Sequence, residues 1–179
     1  MKIIVIVGMP ASGKNIAHTY AETKGIPYFA TGDLVREEVR KRDLSPSAEN
    51  MALVSTELRG EDGMGVTRMA LQTAMDIKEP LVFLEGMRSW PEIKLIKDEA
   101  DATVVAFLAP RASRLERITT RGRSDDSPDA FEARDQREIE YGAAVPLALG
   151  DEYILNTGTL QDAFRDLEAI IERRRPISE

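Results

Sequence analysis

Cysteine is absent from this chain. Its absence excludes disulfides, cysteine-ligated zinc and thiol catalysis, and it fits a cytoplasmic protein. Histidine occurs once, at His18, which reads as an ordinary side chain of the first helix with no proton-transfer role. No apolar run approaches the ~20 residues that span a bilayer, so no membrane partner is expected. The first residues, a lysine and a short apolar run, superficially look like a signal peptide, but the run is too short and reads better as a buried strand. The chain also lacks a positive excess: its net charge is −7. That argues against a nucleic-acid partner, which wants a basic face. It leaves a nucleotide pocket open, because local arginines make positive potential on an acidic protein. No repeat or low-complexity tract is visible.

What remains is a chain of 179 residues, 42% hydrophobic and 31% charged, enough for one domain with a large core. Its central stretch is Gly8-Met9-Pro10-Ala11-Ser12-Gly13-Lys14-Asn15, directly after the apolar run Ile3–Val7. A strand, a glycine-bounded turn and a lysine at a helix start form the layout of a phosphate-binding loop of the Walker A type. Glycines let the backbone curl so that N–H groups point inward. The helix adds its positive end and the lysine a full charge.

Ile3–Val7 shows no polar alternation and should be buried on both faces, as in a parallel sheet. Further strands are expected at 26–30, 81–84, 102–108 and 153–155. Helices are expected at 14–24, 31–42, 47–59, 64–77, 91–99, 111–120, from Ser127-Pro128 to about Gly142, and after Thr159. Gly25 sits at a C-cap, and Thr159 with Asp162 makes a capping-box-like start. Arg173-Arg174-Arg175 reads as a solvated helix terminus. The alternation implies a three-layer α/β fold, a five-stranded parallel sheet flanked by helices, with a short lid. In such sheets ligands bind beyond the carboxyl ends of the strands. Every candidate motif follows a strand, so all should meet at that edge.

The motifs are Thr31-Gly32-Asp33 with Arg36, Glu85-Gly86-Met87-Arg88, and a polar group of Arg121, Arg123, Asp125, Asp126, Arg134 and Arg137. Phosphoryl transfer needs positioning and positive charge more than covalent chemistry. Lys14 can serve the donor's β and γ phosphates. Glu85, at a strand end, is placed like a carboxylate that holds magnesium through water. Arg36 and Arg88 can clamp an acceptor phosphate, although an exposed Arg36 pairing with Asp33 or Glu37 stays open. Arg121 and Arg123 lie where a loop can close over the donor. Asp33 reads as a helix-start stabiliser or as a general base, and Trp90 and Tyr141 read as packing residues, with a place in the lining of the site left open.

Taken in order, Gly8-x-Pro10-x-x-Gly13-Lys14, Thr31-Gly32-Asp33-x-x-Arg36, Glu85-Gly86-x-Arg88 and Arg123-x-Asp125-Asp126 resemble the adenylate kinase and nucleoside-monophosphate kinase group. They look closer still to its archaeal branch of adenylate-kinase-related and dephospho-CoA-kinase-like proteins. The resemblance implies ATP and Mg2+ as cofactors. It implies a triphosphate held along Gly8, Pro10, Ala11, Ser12, Gly13, Lys14, Asn15 and Ile16, and a monophosphate site at Thr31, Gly32 and Arg36. Arg88 would hold the acceptor phosphate, with Gly86 and Arg137 beside it. Residues 31–78 would bind the acceptor, 121–141 would form the lid, and Asn156–Thr159 would pass near the donor base. Three departures stand out: Asn15 replaces the usual Ser/Thr, Ala11 replaces a glycine, and Glu85 is one methylene longer than the usual Asp. Asn15 and Glu85 are the candidate metal residues.

Three functions remain open on this reading. They are a kinase on a nucleoside monophosphate, a kinase on a hydroxyl such as that of dephospho-CoA, and a nucleotide-binding sensor or slow NTPase. The expected partners are a nucleoside triphosphate and a small phosphorylated acceptor. The chain is expected to act as a monomer or homodimer.

Overall fold

A computed structural model describes residues 1–122 and 126–174 of the chain. Five parallel strands form one sheet in the order β2-β3-β1-β4-β5. These are β1 (Lys2–Gly8), β2 (Tyr28–Ala30), β3 (Leu81–Glu85), β4 (Asp101–Leu108) and β5 (Glu152–Leu155). The helices are α1 (Asn15–Lys24), α2 (Thr31–Lys41), α3 (Ala48–Arg59), α4 (Gly65–Ile77), α5 (Trp90–Glu99), α6 (Arg111–Arg121), α7 (Pro128–Glu140), α8 (Ala144–Ala148) and α9 (Leu160–Arg174).

The central strand explains the layering. Ile4 and Ile6 point to one face, where α1 and α9 cover them through Ala17, Tyr20, Leu167 and Ile171. Ile3, Val5 and Val7 point to the other, against Ala70, Leu71 and Ala74 of α4 and Ile93 and Ile96 of α5. Both faces of β1 are thus dry, as an unbroken apolar run predicts. A separate small core of Val35, Val39, Val54 and Val66 holds α2, α3 and α4 together.

The local signals act where expected. Gly25 caps α1 at φ +64°, the left-handed region glycine enters without a Cβ penalty. The Ser127 hydroxyl accepts from the Ala130 N–H. Asp162 accepts from both the N–H and the hydroxyl of Thr159, and the Thr159 hydroxyl accepts from the Asp162 N–H. Arg173 and Arg174 at the end of α9 both pair with Glu152 of β5, so these two are fastened to the sheet edge. Strand β2 is shorter than expected: Ile26 and Pro27 lie before it, and Pro27 contributes only its carbonyl, to the Phe83 N–H. Among the described residues, helix α8 is the one element the sequence reading missed. No helix among the described residues is long and apolar enough to cross a membrane.

Candidate functional site

The chain leaves β1 at Gly8 and turns through 9–14 before α1 begins at Asn15. Gly13 adopts φ +107°, and a Cβ there would lie 2.0 Å from the Asn156 amide nitrogen. No other residue fits that position. Ala11 also enters the left-handed region, at φ +60°, where a side chain costs about 1–2 kcal/mol. Its carbonyl is tied down in compensation.

The loop's carbonyls are held one after another from outside. Lys14 Nζ donates to the Gly8 carbonyl at 2.7 Å and to that of Met9 at 3.4 Å. Arg114 donates to Pro10 at 3.0 Å and Arg117 to Ala11 at 3.1 Å, both from α6. Asn156, just past β5, donates its amide to Ser12 at 2.9 Å, and Arg117 returns to the Asn156 carbonyl at 2.6 Å. With carbonyls turned to cations and amides, the loop has the polarity of an anion cradle. The Ser12 hydroxyl is buried without a hydrogen-bond partner, and a Cβ at Gly8 would lie 2.3 Å from it, so the start of the loop packs directly on this side chain.

Three adjoining cavities lie at the strand ends, beside another over Phe107, Leu108 and Leu155. The first, about 360 Å³, is bounded by the loop from Ala11 to Asn15, by Glu85, and by Arg117 and Arg121 of α6. A second, about 330 Å³, lies over α2 and α3, with Thr31, Ser55, Arg59, Arg88, Arg137 and Tyr141 supplying its polar wall. Between them is a smaller space of about 130 Å³, walled by Gly8, Pro10, Lys14, Glu85, Arg88 and Glu138. Lys14 and Glu85 belong to the first cavity and the junction, and Arg88 to the junction and the second cavity. The three spaces therefore share walls.

Glu85 is the pivot. Its Oε2 accepts from the Tyr28 hydroxyl at 2.8 Å, and its Oε1 stands 4.0 Å from Lys14 Nζ. Burial, reinforced by Glu85, pushes the Tyr28 phenol far above its usual value, so it stays a donor. Burial also lowers the Lys14 ammonium, an effect that Glu85 and then Glu138 oppose. Arg88 is positioned from behind. Glu92, buried in α5, accepts from the backbone N–H of Arg88 and of Ser89 at 2.9 Å each, and from the Thr67 hydroxyl of α4 at 2.8 Å. The Arg88 guanidinium stacks 5.0 Å from the Tyr141 ring and reaches 3.4 Å from Glu138.

Asn15 and Glu85 are oxygen donors on one wall, an adequate protein share for a magnesium ion that keeps waters and phosphate oxygens as its other ligands. No cluster of three or more acidic, histidine or cysteine side chains suited to a metal exists among the described residues.

The remaining sequence-predicted residues separate clearly. Thr31, Gly32, Gly86, Arg121 and Arg137 reach cavity walls. Ile16 is buried in the core, and its N–H is used by the Gly13 carbonyl. Arg36 stands outside the wall of the second cavity, pairing with the exposed Asp33, the alternative that the i,i+3 spacing left open. Its place in the wall is taken by Arg59, which also faces Tyr141, at 6.0 Å. Tyr141, expected to pack, lines the cavity and is half-exposed. Asp126 pairs with Arg121 and Arg134, while Arg123 and Asp125 lie outside the described residues. Sequence reasoning missed Tyr28, Arg59, Arg114, Arg117 and Glu138. The available signal was the spacing of Arg114, Arg117 and Arg121, which places three arginines on one face of α6.

Residues 7–132 match the family model described as "AAA domain". A UPF0200 protein of Methanosarcina mazei is 36% identical over 176 residues, covering 96% of this chain and 94% of that protein. One from Thermococcus sibiricus is 37% identical over 179 residues, covering 96% and 94%. Among solved structures, TT1252 from Thermus thermophilus is similar with a TM-score of 0.69 at 20% identity, covering 97% of this chain and 98% of that one. Shikimate kinase from Bacteroides thetaiotaomicron gives 0.61 at 12% identity, covering 95% and 98%. At these identities the structural likeness shows the fold alone, a five-stranded parallel sheet flanked by helices. With a family model matched over most of its length and relatives that match it nearly end to end, the chain belongs to the AAA-domain family and to the UPF0200 proteins.

Proposed function

We propose that this chain transfers the γ-phosphoryl group of ATP, with Mg2+, to a nucleoside monophosphate. The observation that carries the reading is the row of joined cavities, with Lys14 and Glu85 on the donor side, Arg88 bridging to the other side, and Arg59 and Arg137 beyond it. An acceptor phosphate is already anionic and needs cations to bring it up to the donor. Its oxygen attacks the γ-phosphorus, the bond to the β–γ bridging oxygen breaks, and ADP and a nucleoside diphosphate result. Magnesium, when bound beside Asn15 and Glu85, neutralises charge on the donor phosphates. In this reading α2–α4 bind the acceptor and the segment 121–141 acts as the lid, as in the adenylate-kinase-related branch.

A second reading, transfer to a hydroxyl such as that of dephospho-CoA, needs a carboxylate near the acceptor oxygen. Asp33, tied to Arg36, is poorly placed for this. Glu138 in the junction is the observation that keeps the reading in view. A coupled assay over AMP, CMP, UMP and dephospho-CoA separates the two. Turnover of a monophosphate is expected, and activity on dephospho-CoA alone would overturn the first reading in favour of the second.

The wall residues give a sharper test. Arg88→Ala is expected to lower kcat/KM for the acceptor about a hundredfold, through loss of a charge-assisted phosphate contact. Arg59→Ala should raise the acceptor KM, while Arg36→Ala should change it by less than about threefold, as for an exposed ion pair. A large effect at Arg36 with none at Arg59 would mean that the acceptor binds elsewhere.

A further inference from the structure

Glu85 carries one more rotatable bond than an aspartate at that strand end, and a longer side chain wanders unless something fixes it. Tyr28 is placed to do so. It sits on β2, the strand beside β3, where Ala30 is the register partner of Glu85 and Tyr28 that of Phe83. Its ring is set edge-on against His18 at 4.9 Å and tilted against Phe83 at 6.2 Å, so the hydroxyl has a defined direction. That hydroxyl donates to Oε2 of Glu85. Oε1 is left 4.0 Å from Lys14 Nζ, on a residue that walls two of the cavities. The carboxylate is divided between a structural oxygen and a working one.

We propose that Tyr28 is a positioning residue for magnesium: its hydroxyl fixes Glu85 so that Oε1 presents to the ion or its waters beside the donor phosphates. This deepens the donor-site reading and rests on it. A metal-holding carboxylate with an oriented outer partner binds more tightly, because the ordering is done before the ion arrives. The arrangement also accounts for the glutamate. A shorter aspartate on β3 would withdraw its carboxylate from the Tyr28 hydroxyl.

The test is ATP binding by calorimetry, in EDTA and in excess Mg2+, on the full chain. Tyr28→Phe keeps the ring and its packing and removes only the hydroxyl. ATP affinity in EDTA is expected to stay that of the parent, while the gain in affinity on adding Mg2+ falls about tenfold. Glu85→Asp should also lose the magnesium-dependent gain. The double variant should be little worse than either single one, because both remove one shared contact. Direct titration of Mn2+ into the ADP complex, followed by water proton relaxation, should show the same ordering of variants without any turnover.

An unchanged magnesium-dependent gain in Tyr28→Phe would overturn the proposal and leave Tyr28 as packing. Additive losses in the double variant would overturn it too, since the two groups would then act separately. A parent chain that binds no ATP in either condition would overturn the donor reading itself. That result differs from the others because it appears before any substitution is made.

Discussion

Lys14→Ala is expected to abolish measurable ATP turnover, with a loss in kcat/KM of about a hundred- to a thousandfold. The side chain sits where the donor cavity meets the junction, and its Nζ spends its hydrogen bonds on the carbonyls of Gly8 and Met9. These are weak partners compared with a triphosphate. A phosphate arriving in the cradle replaces two neutral oxygens by charged ones. The same step changes the lysine's proton affinity. Burial holds the free ammonium below its usual 10.5, and a bound triphosphate raises it again. Above the free-chain pKa the lysine must therefore take up a proton to bind. ATP affinity should fall as pH rises through that alkaline flank, and binding should draw protons from the buffer. Calorimetry in two buffers of different ionisation enthalpy counts them. In Lys14→Ala both the alkaline fall and the proton uptake should vanish. An affinity for ATP in Lys14→Ala within about threefold of the parent would remove the loop from the binding site.

Much of this site could be read before the fold was known, and the reason is geometric. Lys14, Glu85 and Arg88 lie immediately after apolar runs that can only be buried parallel strands, and the ends of such strands lie together. Caps were legible for a similar reason: Ser127, Thr159 and Asp162 act on backbone within three residues of themselves. Helix α8 escaped because Pro146 reads as a helix breaker. The proline falls within the first turn, where a missing N–H breaks nothing. Arg59, and not Arg36, lines the cavity because only the packing of α2 against α3 decides which helical arginine faces it. Tyr28 escaped in the same way. Its partner is distant in sequence and adjacent only through the pairing of β2 with β3.

The other large effect concerns α6 and α7. Arg114 and Asp135 form two parallel hydrogen bonds of 2.6 Å each, with side chains only 7% and 9% exposed, and the guanidinium lies 5.1 Å from the buried ring of Phe131. Asp135→Ala would leave a buried cation without its counter-ion, which costs about 3–5 kcal/mol. For a chain of this length the melting temperature should fall roughly 6–20 °C. Stability alone does not exhaust the contact, because Arg114 also holds the Pro10 carbonyl of the phosphate loop. The double variant Arg114→Met/Asp135→Leu separates the two roles. Apolar side chains of similar volume can replace a buried pair at little loss of stability, or with a gain. The double variant is therefore expected to melt near the parent while binding ATP several-fold more weakly, since the Pro10 carbonyl has lost its donor beside the strained turn at Ala11. Melting without nucleotide and ATP calorimetry on the same samples read both. Parent-like melting with parent-like ATP affinity would mean that Arg114 joins α6 to α7 and does nothing for the loop.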